Sequence, residues 1–393
     1  MNNFTAKLPL TLHRLYGDHV VFTSRPSFGK NPWLTAELHQ SNMLTARELL
    51  IADMPVILHE ATVGEKTNKL FEAAGLELPE NYRVYTDEQS YNARLREAEQ
   101  KGEKIFFQYA HETEYVNPEA SYLDRQTFIA LNNKMRLEEW TKGKFLPKRE
   151  IVHAEQLAER LQDWQFPYVL KPADDHPTAG GYGVMICYHD EDLKNALKRI
   201  GAVESASDFV IEDFIKTEAN YCVQYAYSDE LGLSYIGASI QETNEYGKYK
   251  GNITADHVPD SVIEAGKEIM QNGVDAGYRG IAGFDLLVDD KGDVYAIDLN
   301  FRQNGSTSLL LINDLLAGEY KKFLGYYSEI ENSRFFERVL EEVQAGQLFP
   351  LAYYDGDFYK KDETPSRFVG IWHGTKEEVE AKNKAFTTFN TAE

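Results

Sequence analysis

A chain of 393 residues exceeds one ordinary hydrophobic core, so two or three domains, or one elaborated α/β unit, are expected. Apolar content of 42% with 26% charged residues describes a soluble globular protein. The formal charge of −22 argues against a nucleic-acid surface and an anionic membrane face, while leaving room for a local basic pocket.

Short apolar runs alternate with helical patterns up to about Ala120. His19–Phe22 and Pro55–Leu58 read as strands, Thr62–Gly75 and Asp87–Lys101 as helices, the latter stopped by Gly102. Ile105–Tyr109 is a further strand, and the whole suggests a small α/β layer. A Gly-rich dinucleotide fingerprint is absent, which speaks against a nicotinamide cofactor.

The spacing predicts a helix over Gln126–Trp140, a second over His153–Trp164, and a strand over Phe166–Pro172 ended by proline. A helix over Asp190–Ile200 comes next, then strands at Phe209–Ile215, Tyr221–Tyr227 and Leu233–Ile240. Asp260–Gly277 is a long amphipathic helix. Beyond it, Ser306–Leu316 reads as a helix with Ser306 near its start as a cap. The tail offers a helix at Phe335–Gln344, a strand at Arg367–Trp372, and a capping box, Thr375-Lys376-Glu377-Glu378, that opens a last helix. Cys187 and Cys222 lack metal spacing and read as small buried hydrophobes in a reducing compartment. The N-terminus carries no signal-type apolar core, and the longest apolar stretch, near Leu49–Leu58, is too short to span a bilayer.

The most informative stretch is Gly283–Thr307. Two apolar strands flank an Asp290-Lys291-Gly292 turn, and each carries an acid where a buried strand prefers carbon: Asp285 and Asp298. Asn300 and Arg302 come directly after. Magnesium takes hard oxygen ligands from one or two carboxylates and from substrate phosphates. Arg302 can face developing phosphoryl charge as a permanently charged planar donor. The plainer alternative is a hairpin with acids facing solvent. Lys171 ends an apolar strand just before the loop Asp174–Gly183, whose Gly180, Gly181 and Gly183 let backbone amides approach phosphate. The glycines are not succeeded by a Walker pattern. Glu212, between apolar strand residues, could accept the exocyclic amine of adenine, or could be an edge-strand acid facing water.

Asn133-Lys134, Pro147, Tyr168–Pro172, the glycine loop, Val210–Ile215, Asp285, Asp298-Leu299-Asn300 and Arg302 occur in an order that resembles the ATP-grasp superfamily over about residues 128–316. The flanks look similar to the peptide-ligase branch, as in the pheganomycin type. The resemblance implies an α/β (α+β) ATP-grasp fold binding ATP between two subdomains. Its units would be an N-terminal α/β pre-ATP-grasp domain (1–120), the lid and N-terminal subdomain (121–218), the C-terminal subdomain with the metal site (219–320), and a helical and strand extension (321–393).

The resemblance also implies that Lys134 and Lys171 hold ATP phosphates under the glycine loop, and that Glu212 reads adenine with Phe214 and Ile215 lining the pocket. Glu218 and Asn220 stand where a ribose-binding glutamate is usual. Asp285, Asp298 and Asn300 would hold two magnesium ions, or manganese in their place, although the family more often has glutamate at the second acid. Arg302 and Lys171 would be catalytic, and Asn304, Ser306 and Thr307 would dock a substrate carboxylate. His176 and His257 are candidates for the base that deprotonates the amine.

The implied activity is an ADP-forming carboxylate–amine ligase that makes an amide or peptide bond through an acyl phosphate. Its substrates would be small molecules; neither nucleic acid nor membrane is expected, a cytoplasmic enzyme is, and the sequence leaves open whether it forms a homodimer. The alternatives are a phosphotransferase or carboxylate–thiol ligase on the same scaffold, or a nucleotide-binding regulator without turnover.

Overall fold

The computed structural model describes residues 4–29, 33, 38–111, 114–173, 175, 183–203, 207–359 and 364–391. Its first layer is an all-parallel sheet of Val20–Thr23 (β1), Val56–His59 (β2), Tyr82–Tyr85 (β3) and Lys104–Phe107 (β4), in the order β3-β2-β1-β4. Its helices are Leu12–Tyr16 (α1), Leu38–Met43 (α2), Leu49–Ala52 (α3), Glu65–Ala73 (α4) and Glu88–Gln100 (α5). β1 and β2 are buried throughout, as a parallel sheet covered on both faces requires. Asp87 and Ser90 form the capping box that opens α5, and Gly102, at φ +68, lies just past its end. The strand β3, with only one of its four residues fully buried, carried no clear alternation in the sequence.

The helical pattern over 126–140 resolves into two helices, Arg125–Asn132 (α6) and Leu137–Thr141 (α7). Asn133 parts them. Its backbone is extended, its side chain accepts from the Met135 amide at 2.8 Å, and its Nδ2 donates to Asp175 at 2.8 Å. An asparagine that caps a new turn offers the chain an alternative to continuing the helix, and the break turns Lys134 out of the helical row.

A second, antiparallel sheet has the order β5-β8-β6-β7: Arg149–His153 (β5), Tyr168–Pro172 (β6), Met185–Cys187 (β7) and Asp208–Asp213 (β8). The helix expected over 153–164 is mostly absent. His153 belongs to β5, and two 3₁₀ turns flank the single-turn helix Leu157–Arg160 (α8). Asp190–Gly201 (α9) covers this sheet.

The third sheet is antiparallel and has eight strands, β13-β12-β9-β10-β11-β14-β16-β15. They are Thr217–Ser228 (β9), Gly232–Thr243 (β10), Tyr249–Thr254 (β11), Gly280–Asp289 (β12), Val294–Asn300 (β13), Tyr320–Tyr327 (β14), Leu348–Tyr354 (β15) and Arg367–Gly374 (β16). Its helices are Asp260–Asp275 (α10), Thr307–Ile312 (α11), Asn332–Gln344 (α12) and Lys376–Asn390 (α13). The C-terminal strands thus extend the central sheet, and Thr375 and Glu378 form the expected capping box for α13.

Strand alternation then decides which residues face which way. Val223, Tyr225, Ala282, Phe284 and Leu286 bury against Val262, Ala265, Ile269 and Met270 of α10. The residues between them, Cys222, Gln224, Gly283 and Asp285, are turned to the opposite face.

Candidate active site

Asp285 of β12 stands directly opposite Asp298 of β13. The next pairing is Leu286 with Ala296, so Ile297 is an extra residue, a β-bulge. The bulge lets Leu299 and Ala296 both enter the α10 core while Asp298 stays on the polar face beside Asp285. It also frees the Ile297 carbonyl, which accepts from Lys171 Nζ at 2.9 Å.

Lys171 reaches this point from the second sheet. Its register places it diagonally across from Glu212, with Val169 opposite Glu212 and Val210 opposite Lys171. Diagonal neighbours are within reach of long side chains, and Lys171 Nζ lies 2.6 Å from Glu212 Oε2 with both side chains almost wholly buried. Arg149, directly opposite Glu212 on the other neighbouring strand, lies 3.7 Å from Oε1. Arg149 also donates to the Lys134 carbonyl at 2.7 Å, and Lys134 Nζ lies 2.7 Å from Asp298 Oδ1. The circuit closes: Lys134, Arg149, Glu212, Lys171, Ile297, Asp298 and back to Lys134. Arg302 joins it from the loop after β13. Its guanidinium donates to Asn132 Oδ1 at 3.0 Å and lies 5.3 Å from the centre of the Tyr109 ring.

Four cationic side chains (Lys134, Lys171, Arg149, Arg302) therefore meet three acids (Glu212, Asp285, Asp298) in an acidic protein. Burial, then the charge of Asp298, push the Asp285 carboxyl up to about 7. Burial acts on Asp298 in the same sense, but Lys134, Arg302 and Lys171 outweigh it and hold that carboxyl below the usual range. Turned so that its nitrogen faces the acid, the Gln241 amide donates to the Asp285 oxygens at 2.9 and 3.1 Å.

The singled-out residues that lie among the described ones each have a definite place. Asn300 is buried two residues beyond Asp298, on the same face. Glu218 is exposed and Asn220 half-buried on β9, in the row that continues through Cys222 and Gln224; the Asn220 Oδ1 is buried without a partner. Phe214 and Ile215 lie just past β8, half-buried, with Phe214 edge-on to Tyr188. Gly183 is buried, whereas Gly180, Gly181 and His176 lie outside the described residues. Among the described residues, no group of three or more His, Cys, Asp or Glu converges as a metal cluster. The floor is instead two carboxyls and an amide.

Asn304, Ser306 and Thr307 are drawn into a network. Gln224 Nε2 donates to Asn304 Oδ1 and Ser306 Oγ, each at 2.7 Å, and Thr307 Oγ1 donates to Gln224 Oε1 at 2.9 Å. Asn304 Nδ2 donates to Cys222 Sγ at 3.0 Å. Ser306 does not cap α11 with its side chain, contrary to the sequence expectation, because its hydroxyl is held by this network. Both Ser306 and Thr307 are fully buried, leaving Asn304 the most exposed of the three. His257 is exposed in the loop before α10, where its carbonyl accepts from Tyr221 at 3.3 Å.

Arg149, Gln224, Gln241 and Asn132 went unnamed in the sequence, Tyr109 stood there only as a strand end, and Asn133 only beside Lys134 in the ATP-grasp pattern. Gln224 had a visible signal, a polar residue on the Cys222 face of an apolar strand. Arg149 had none, since its role depends on a strand pairing between residues far apart in the chain.

A model of the ATP-grasp domain of L-aspartate–L-methionine ligase matches residues 147–300. Models of the N-terminal and C-terminal domains of the same ligase match 11–129 and 314–391. A stretch of 175 residues is 23% identical to the 2-oxoglutarate carboxylase small subunit of Hydrogenobacter thermophilus, over 39% of this chain and 33% of that protein. The chain thus spans about a third of the length of that curated relative. In fold it is similar to the ADP complex of an N5-carboxyaminoimidazole ribonucleotide synthetase, with TM-score 0.60, 13% identity and 98% of each chain covered. The ATP complex of the Aspergillus clavatus synthase scores 0.58 at 13% identity, covering 95% of this chain and 99% of that one. An L-amino acid ligase from Bacillus licheniformis scores 0.53 at 14% identity, covering 94% and 96%.

Proposed function

We propose that this chain, which belongs to the ATP-grasp carboxylate–amine ligases, joins a carboxyl of L-aspartate to the amine of L-methionine with conversion of ATP to ADP and phosphate. Three successive domain matches to one ligase, in chain order, support the substrate pair. The chemistry is carried by one observation: two facing acids, Asp285 and Asp298, floor a space ringed by Lys134, Lys171 and Arg302. On this reading residues 1–120 supply a substrate-binding layer, 121–218 and 219–320 enclose ATP, and 321–393 brace the sheet.

The donor set suits magnesium. Burial and the charge of Asp298 push Asp285 toward neutrality, a penalty a divalent cation would lift, and Asp285, Asp298 and Asn300 offer hard oxygens on one face. Bound there, magnesium would offset the charge of the β- and γ-phosphates. Lys171 and Lys134 place positive charge along the same phosphates. Arg149 Nη1 and Asn220 Oδ1, a donor and an acceptor buried without partners, are suited to nucleotide groups. Glu212 has its carboxylate engaged by Lys171 and Arg149, so the adenine is read by the backbone after β8, with Phe214 and Ile215 beside it.

The donor carboxylate attacks the γ-phosphorus, the bond to the β-phosphate oxygen breaks, and ADP leaves. Arg302, held in place by Asn132 and Tyr109, stabilises the charge on the transferred group. The amine of the second substrate then attacks the acyl carbon, loses a proton, and phosphate departs. No protein nucleophile takes part, and the site acts by positioning and by fixed charge. Dependence on ATP and two free cysteines suit a cytoplasmic enzyme.

Incubation with ATP, aspartate and hydroxylamine, without methionine, tests the first half-reaction. ADP with aspartyl hydroxamate is expected, and adding methionine in place of hydroxylamine should give the dipeptide. AMP release, or a stable phosphorylated product without hydroxamate, would overturn the ligase reading.

A further inference from the structure

A ligase of two amino acids has a discrimination problem. Both substrates carry an α-carboxylate, yet the amine-giving one must keep its carboxylate away from the γ-phosphate. A second anion-binding point, apart from Arg302, would solve this.

The first sheet offers one. In an open parallel sheet, ligands bind in the crevice beyond the carboxyl ends of the strands where the strand order reverses. The order β3-β2-β1-β4 reverses between β1 and β4. Arg25 lies two residues past the end of β1, and Tyr109 and His111 lie just past the end of β4. Arg25 is 1% exposed. Its hydrogen-bond acceptors are neutral: Nε donates to Asn42 Oδ1 at 3.0 Å and Nη1 to the Pro26 carbonyl. Among the described residues no carboxylate lies within ion-pair distance of it, although each other arginine more than nine-tenths buried has one: Arg47 pairs with Glu48 at 2.5 Å. Glu88 acts on Arg25 only from beyond contact distance; a buried guanidinium with no carboxylate in contact is costly, and an arriving carboxylate relieves that cost.

The guanidinium carbon lies 3.2 Å from the centre of the Phe28 ring and 5.7 Å from that of Tyr91, and these aromatic contacts hold the planar fork in a fixed orientation. The Tyr91 hydroxyl is 2.9 Å from His111 Nε2, His111 Nδ1 is 2.9 Å from the Tyr109 carbonyl, and the Tyr109 ring carries Arg302. A short chain of side chains thus separates Arg25 from the reacting centre.

We propose that Arg25 binds the α-carboxylate of the amine-giving amino acid and so fixes which substrate is phosphorylated and which attacks. The inference rests on the ligase reading above.

The test compares methionine with methioninamide as acceptor, in wild type and in Arg25→Gln. Wild type should prefer the free carboxylate by about tenfold or more in kcat/KM, from loss of a buried charge-assisted contact. Arg25→Gln should lose that preference, through KM for methionine, with KM for ATP and for aspartate unchanged. A variant that still prefers methionine over its amide overturns the assignment, since a merely structural arginine would not alter that ratio. If Arg25→Gln fails to fold, Arg25→Lys keeps the charge without the planar fork. A rise in KM for methionine alone supports the proposal, and an unchanged KM refutes it. The aspartyl hydroxamate reaction needs no acceptor and reports separately on the parent reading: its absence in wild type sinks both, and its presence beside an unaltered acid–amide preference sinks only the role of Arg25.

Discussion

Asp285 and Asp298 face each other across an antiparallel pair, but only Asp298 holds a lysine: Lys134 Nζ is 2.7 Å from its Oδ1. The asymmetry fixes their protonation. Lys134 keeps Asp298 ionised, while burial and the charge of Asp298 push Asp285 up to about 7. An acid with a raised folded pKa holds its proton more tightly when folded, so folding stability falls as pH rises from about 4, the unfolded value. The decline ends near the folded value of about 7. Without divalent cation, Asp285→Asn should therefore melt higher than wild type at neutral pH and above, and the two should converge in acid. Magnesium should raise the wild-type melting temperature at neutral pH and leave the variant unmoved. A difference independent of pH would remove this account of the pair.

The Lys171–Glu212 pair is buried on both sides. Removing one member of such a pair leaves the other charge uncompensated, at a cost of about 3–5 kcal/mol. Denaturant unfolding of Lys171→Met, Glu212→Gln and the double variant should show the double far less destabilised than the sum of the singles. Additive losses would mean that the two do not interact. All three variants should bind ATP weakly, because Lys171 also orients toward the Ile297 bulge beside Asp298.

The acid hairpin was legible because two acids interrupted apolar runs joined by a tight turn, a local pattern. The capping box of α13 and the glycine after α5 were legible for the same reason. β11, with Lys250, Gly251 and Asn252, and β15, interrupted by Pro350, were not, because their strand character comes from neighbours supplied by distant chain. The same limit applies inside the site. Lys171 and Asp298 could be nominated singly, but the Ile297 bulge and the circuit through Arg149 are properties of register. The break at Asn133 lies between these cases, since asparagine commonly ends helical turns but the periodicity continues across it.

That break has a measurable role. Asn133 starts the turn that bears Lys134 and ties it to Asp175. Asn133→Ala should cost about 0.5–2 kcal/mol of stability, as loss of a cap does. It should also lower kcat/KM for ATP by about tenfold or more, because a small misplacement of a positioned charge is expensive. A variant destabilised to that extent but kinetically normal would show that the break is only structural.

Gly283 sits on the polar face opposite Asn300, one strand from Gln224. The space a side chain would take is occupied by Asn304: a Cβ on residue 283 would collide with Asn304 Nδ2 and crowd Gln224. The glycine is thus needed for the close approach of the Asn304 amide to Cys222, beside Asp285, and not for any unusual backbone angle. Gly283→Ala should destabilise by about 1–3 kcal/mol, as overpacking does, and should depress turnover by displacing the loop that carries Arg302. Asn304→Ala alone should also destabilise, since it removes the acceptor of Gln224 and of the Ser306 amide. Combined, the two changes should fit together, and Gly283→Ala/Asn304→Ala should unfold at higher denaturant than Gly283→Ala. That reversal of sign distinguishes a steric conflict between these two residues from a general weakening of β12, under which the double variant would be the least stable of the three.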